Sequence, residues 1–174
     1  RPLVTGLVAP GEAMVFAVVL EVLAFAVLWR WANLLAAVLA LSATLFYVFV
    51  YTLWLKRTST QNIVIGGAAG AVPVLVGWAA VRNDIAWTPV VLFVVMFLWT
   101  PPHWALAIRY ADDYRAASVP MLPAVATPAV TVRKMVLYTA VMVIGSLTLW
   151  PVADLGPLYG AAAVVLGGLF LWGT

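Results

Sequence analysis

Two adjacent carboxylates, Asp112 and Asp113, stand between Arg109 and Arg115 in the stretch TPPHWALAIRYADDYRAASVPMLP, Thr100 to Pro123. Tyr110, Tyr114 and His103, the only histidine of the chain, share that stretch. Neighbouring carboxylates repel unless a cation lies between or beside them. Carboxylate and phosphate oxygens together are the usual hold on Mg²⁺, which keeps several of its waters. Arg109 and Asp113 are four apart, as are Tyr110 and Tyr114, so on a continuing helix each pair shares a face. An Arg109–Asp113 ion pair closing a helix end would explain Asp113 but would not need Asp112. A second polar cluster, YTLWLKRTSTQN from Tyr51 to Asn62, sets Lys56 and Arg57 beside Thr58, Thr60, Gln61 and Asn62. Basic groups leading into a helix N-terminus can cradle phosphate. Charge at a helix C-terminus and membrane topology explain the same two residues equally well. The clusters together suit a Mg²⁺–diphosphate site above an apolar cavity. A transporter of an anionic solute would need much the same groups.

The elements that must position these groups are membrane spans. Apolar residues make up 66% of the chain and charged residues only 9%, with a mean hydropathy of +1.11. Soluble domains are about half apolar. The apolar runs are continuous, whereas the strands of a membrane barrel alternate, so the fold class is all-α, a polytopic transmembrane helix bundle. Six segments have the length and composition of a span, near 11–29, 31–54, 62–80, 88–108, 134–152 and 156–173. Their alternation puts Arg1, Lys56, Arg57, Arg109, Arg115, Arg133 and Lys134 on one face and leaves Arg30 and Arg82 for the other. This bias makes the polar joints cytoplasmic.

The absence of cysteine excludes disulfides and thiolate metal sites. The sequence pI is 9.5, but the basic residues are scattered between spans and form no stripe for nucleic acid. The lipid bilayer and its anionic headgroups account for them. Pro101 and Pro102 should break the fourth span, because each removes a backbone donor. His103 follows that break, either as a packed hydrogen-bonding residue or as a functional group. Glu21, inside the first span, has the same two readings: a single interhelical hydrogen bond, or a group facing a wet cavity. Gly66-x-x-x-Gly70 has the small-residue spacing of close helix packing, and small residues also make room for a bulky ligand.

The segments YTLWLKRTSTQNIVIGGAAGAVPVLVGWAA (51–80) and FLWTPPHWALAIRYADDYRAASVPMLP (97–123) resemble the protoheme IX farnesyltransferase, or heme O synthase, family of UbiA-type intramembrane prenyltransferases. RPLVTG at the start resembles the segment that follows the family's first aspartate-rich motif. The resemblance implies a nine-helix bundle in the bacterial inner membrane, with a central cavity open to lipid and a polar cytoplasmic cap. It implies transfer of the farnesyl group of farnesyl diphosphate to a vinyl group of heme B with addition of water, giving heme O for a terminal oxidase or for heme A synthase. Heme B is there a substrate, and Mg²⁺ the cofactor.

Carried over residue by residue, Asp113 matches the second aspartate motif, with Asp112 as its companion on the metal. Lys56 and Arg57 match the basic pair that grips the diphosphate, and Tyr51 and Asn62 line the same mouth. His103 would contact the heme, through iron or a propionate. Arg109, Tyr114 and Arg115 complete the substrate-binding set. The first aspartate motif and two spans would lie upstream of Arg1, and at least one further span downstream. Residues 1–174 are therefore expected to be one prenyltransferase domain, truncated at both ends and inactive alone. The competing readings are a UbiA-type enzyme acting on a quinone or chlorophyll precursor, and a non-catalytic transporter or oxidase assembly subunit. Against the first stands TPPHWALAIRYADDY, which resembles the heme enzymes specifically.

Overall fold

The computed structural model describes residues 2–99 and 103–174, and among them every regular element is a helix. Proline opens three of the long helices: α1 (Pro10–Trp31), α9 (Pro128–Val152) and α10 (Pro157–Gly173). Its missing N–H costs nothing in a first turn, where no intrahelical acceptor exists. In α1 the Glu12 carboxylate accepts the Ala9 N–H at 3.0 Å, placing negative charge at the positive end of the helix dipole. Among the described residues, four helices are long and apolar enough to cross a membrane: Pro10–Trp31, Leu34–Thr58, Asn62–Arg82 and Pro128–Val152. The chain is an integral membrane protein.

Leu34–Thr58 is not uniform. It begins as α2 (Leu34–Leu45), widens into a π-helix over Phe46–Leu55 and closes with one α-turn, α3 (Lys56–Thr58). After a turn at 59–61 the chain reverses into α4 (Asn62–Arg82), which ends on Asn83 in the left-handed conformation at φ 54°. The helices then pack as a row in chain order, α1 on α2, α2 on α4, α4 on α5 (Trp87–Leu98), α5 on α9 and α9 on α10.

The ends of the row are held differently. At the weakly charged end, Asn33 accepts the Ala36 N–H at 2.9 Å and donates to the Ala79 carbonyl at 2.6 Å. One side chain thus caps the start of α2 and ties it to the end of α4. At the basic end, three short helices fold over the bundle: α6 (Trp104–Arg109), α7 (Ala111–Ala116) and α8 (Leu122–Val125). Beneath them lies a core of Val64, Trp104, Ala107, Met121, Leu122, Ala124 and Met135. Trp104 is fully buried and meets the ring of Tyr138 edge-on at 5.8 Å.

Three expectations change. The span expected over 88–108 is not one helix among the described residues: α5 ends at Leu98, Trp99 lies in a turn, and α6 begins at Trp104. At 1.5 Å per residue α5 is roughly 18 Å long, well short of a hydrocarbon core of about 30 Å. The expected proline break itself, at Pro101 and Pro102, lies outside the described residues, as do Arg1 and Thr100. The span expected from 134 starts earlier, at Pro128, because the Thr127 hydroxyl accepts the Val130 N–H at 3.4 Å and caps the helix there. Arg133 and Lys134 therefore lie inside α9 near its basic end. Finally, α10 is shorter than the four spanning helices.

Candidate active site

A cavity of about 960 Å³ opens between α2, the π-helix, α4 and the end of α5. Its upper wall is aromatic. The Tyr47 and Tyr51 rings pack against each other along the π-helix, tilted by 34° with centroids 5.3 Å apart, and the Thr52 hydroxyl donates to the Tyr47 carbonyl at 2.8 Å. In an α-helix four residues turn about 400°, so every fourth side chain drifts around the axis. Both tyrosines nonetheless lie on the cavity face. π-helical segments are rare and recur at functional sites. Opposite them, Trp99 and His103 meet edge-on at 4.9 Å and line the same cavity. Below this rim the walls are small or aliphatic, including Ala40, Ala43, Gly70, Val72, Pro73 and Gly77.

Gly66 and Gly70 take different parts in this arrangement. A Cβ on Gly66 would lie 2.7 Å from Cε2 and 2.9 Å from Cγ of Tyr51, so the glycine exists to admit that ring. A Cβ on Gly70 would meet nothing within 4 Å. Close packing and open space are both present in the one motif.

The basic end holds a second, smaller cleft of about 340 Å³, lined by Arg57, Tyr114, Arg115 and the loop from Ser118 to Pro120. Ser118, at φ 53°, turns the chain out of α7. Its N–H is donated to the Arg115 carbonyl and that of Val119 to the Tyr114 carbonyl, both at 3.0 Å. Arg115 is fixed twice: Nε donates to the Ala124 carbonyl at 2.8 Å, and Nη1 pairs with Asp112. Tyr114 packs against the core cluster. Arg57 of the cleft follows Tyr51 of the cavity along the π-helix into α3.

The structure sorts the residues expected to form the site. Tyr51 and His103 line the cavity, and Arg57, Tyr114 and Arg115 line the cleft. Lys56 is exposed beside Arg57 in α3, and Arg109 is exposed at the end of α6. Asp112 and Asp113 are exposed in the first turn of α7. Arg109 and Asp113 do not share a helix face, because Tyr110 (φ −111°, ψ 23°) interrupts the helix between them. The ion pair that forms joins Asp112 to Arg115 instead. This supplies the neighbouring cation that two adjacent carboxylates need, and it leaves Asp113 without an ion pair among the described residues.

Asn62 does not line the mouth. It is fully buried, and its Nδ2 donates to the Ser59 carbonyl at 2.8 Å, closing the turn between α3 and α4. Tyr47, Thr44, Met96 and Trp99 line the cavity and were not foreseen. Tyr47 four before Tyr51, and Trp99 four before His103, are spacings that could have revealed two of them.

Among the described residues no group of three or more His, Cys, Asp or Glu could hold a metal ion. Mg²⁺ is commonly held by one or two carboxylates together with the phosphates of a substrate, and needs no such group. Exposed Asp113 is available for that part.

The sequence matches the profile of the UbiA prenyltransferase family over residues 1–174. It is 56% identical over 172 residues to the protoheme IX farnesyltransferase of Kineococcus radiotolerans, covering 98% of this chain and 51% of that protein. The proteins of the same name from Gloeobacter violaceus and Synechocystis sp. are each 54% identical over 173 residues. Those alignments cover 99% and 98% of this chain, against 56% and 55% of the relatives. The chain spans about half the length of the curated relatives it matches. No solved structure matches it.

Proposed function

Because this chain belongs to the UbiA prenyltransferase family, we propose that it contributes the site for transfer of a farnesyl group from farnesyl diphosphate to a vinyl group of heme B, with addition of water, to give heme O. The observation that carries this is an aromatic-rimmed apolar cavity and an arginine-lined cleft at the same basic end, with Asp113, beside the cleft-lining Tyr114, making no ion pair among the described residues. Relatives named protoheme IX farnesyltransferase over nearly the whole chain favour heme B over a quinone or chlorophyll precursor. They equally favour chemistry over transport.

In this reaction the allylic C–O bond of farnesyl diphosphate breaks and the electron pair leaves with the diphosphate. Lys56, Arg57 and Arg115 neutralise that developing charge, the kind of electrostatic stabilisation that often dominates catalysis. A divalent cation, Mg²⁺ when bound at Asp113, supplies Lewis-acid stabilisation of the same oxygens. The π faces of Tyr47, Tyr51 and Trp99 attract the allylic cation. The vinyl π electrons of heme B form the new C–C bond, and water captures the resulting cation beside the porphyrin and loses a proton. The aliphatic walls keep water from quenching the allylic cation first. His103, on the rim of the cavity, contacts heme through iron or a propionate in this reading, and Arg109 and Tyr114 orient the charged groups of the substrates. The basic end faces the cytoplasm of a bacterial cell, and the product passes to a terminal oxidase or to heme A synthase.

The test uses a full-length protein carrying this segment, incubated in detergent or liposomes with heme B, farnesyl diphosphate and Mg²⁺. Heme O is read by mass. Asp113→Ala should abolish product while the protein stays folded. Normal turnover by that variant, or no heme O from the wild type, would overturn the assignment.

A further inference from the structure

We propose that Gly70 and Gly77 set the length of the prenyl chain that the cavity accepts, an inference that rests on the prenyl-transfer function proposed above. The cavity follows α4 from Ile63 to Gly77, roughly 21 Å at 1.5 Å per residue. Two contacts fix its direction. Gly66 meets the ring of Tyr51 near the basic end, and the Ala79 carbonyl meets Asn33 at the other. Gly77 and Ala40 therefore lie at the deep end, far from Arg57 and Asp113, with Gly70 between.

The lining changes along that path. The rim offers the Tyr47 and Tyr51 rings and His103, groups suited to a charged or cationic centre. Farther in, the one hydroxyl among the lining residues belongs to Thr44, and it donates to the Ala40 carbonyl at 3.4 Å. A guest there meets hydrocarbon, as an isoprenoid tail requires. A long run beside one helix also fits a linear chain better than a porphyrin disc. At Gly70 and at Gly77 an added Cβ would meet nothing within 4 Å. Neither glycine is therefore required by a packing neighbour among the described residues, in contrast to Gly66. Both keep the path open, at the cost that glycine imposes on a helix interior.

The experiment compares wild type, Gly70→Leu, Gly77→Leu and Gly77→Ala in the full-length protein. Each is assayed with heme B and geranyl, farnesyl or geranylgeranyl diphosphate. The dissociation constants of the same three diphosphates are measured without heme. Gly77→Leu should lower kcat/KM for farnesyl diphosphate by about tenfold or more, the scale of an overpacked apolar site, while geranyl diphosphate is unaffected. Gly70→Leu, nearer the rim, should also penalise the geranyl chain. The KM for heme B should not change.

Equal losses for all three chains with a raised KM for heme would place the porphyrin over the glycines and overturn the proposal. Failure of Gly77→Ala to fold would do so too, because it would reveal a helix-packing face. If the wild type makes heme O but no variant alters the chain-length profile, the glycine assignment falls and the enzymatic function stands. If heme is never prenylated but Gly77→Leu selectively weakens binding of the longer diphosphates, the assignment stands and the heme reaction falls.

Discussion

Replacing Gly66 and Gly70 separately with alanine separates two roles hidden in one motif. Either change removes a glycine from a helix interior, which favours the folded state by about 0.5–1 kcal/mol. At Gly70 nothing opposes that gain, since the new methyl meets no atom within 4 Å. At Gly66 the methyl would overlap the Tyr51 ring, and the 2.9 Å approach to Cγ shows that the clash reaches the root of the ring. Tyr51 must then change rotamer and lose its ring contact with Tyr47, an overpacking cost of about 1–3 kcal/mol. The helix-propensity gain cancels between the two variants, so their difference isolates the clash at about 1–3 kcal/mol. Reversible unfolding in mixed micelles measures both. Tyr51→Ala in the Gly66→Ala background should then recover stability, a positive coupling that is absent in the Gly70→Ala background. Equal shifts for both glycine variants, within about 0.5 kcal/mol, would refute the assignment of Gly66 to the Tyr51 ring.

The charged cap yields further expectations, each read in the full-length protein. Asp113→Asn should reduce heme O formation by about a hundredfold or more, as loss of a group that stabilises transition-state charge does. Asp112→Asn should cost far less, because the amide oxygen can still accept from Arg115. Chelation with EDTA should stop turnover and added Mg²⁺ restore it, with Asp113→Asn needing more metal for half-recovery. Arg57→Ala should raise the KM for farnesyl diphosphate more than that for heme B, and steady-state kinetics with each substrate varied in turn checks this. Asn33→Ala should lower unfolding stability by about 1–2 kcal/mol through loss of the α2 cap and the tie to α4, while both KM values stay unchanged.

Much of this was legible because membrane constraints are simple. Continuous apolarity gave the helices, and the uneven Lys and Arg placed the polar joints on one side. Less legible were features that depend on neighbours distant in sequence. Nothing in FYVFVYTLWL announces a π-helix: it contains neither Gly nor Pro, and we have no local physical account of the wider turn. Polarity beside Lys56 and Arg57 suggested a ligand at Asn62, whereas the fold buries that side chain and its Nδ2 donates to the Ser59 carbonyl in the turn. The Arg109–Asp113 pairing failed for a similar reason. Spacing of four holds only while the helix continues, and Tyr110 breaks it.

The position of Asp112 shows why the doublet is more than a doubled ligand. Its carboxylate pairs with Arg115 and, with the Ala124 carbonyl, holds the guanidinium of this cleft-lining residue in one orientation. Arginine's planar fork recognises anions by geometry as well as charge, so fixing it lowers the entropy lost when a phosphate or carboxylate binds. The same contacts anchor α7 to α8, and thereby Tyr114 to the core under the cap. One aspartate thus serves the shape of the site and leaves its neighbour to serve the chemistry. A cap of such short helices needs both, since none of them is long enough to hold a charged residue in place by its own hydrogen bonds.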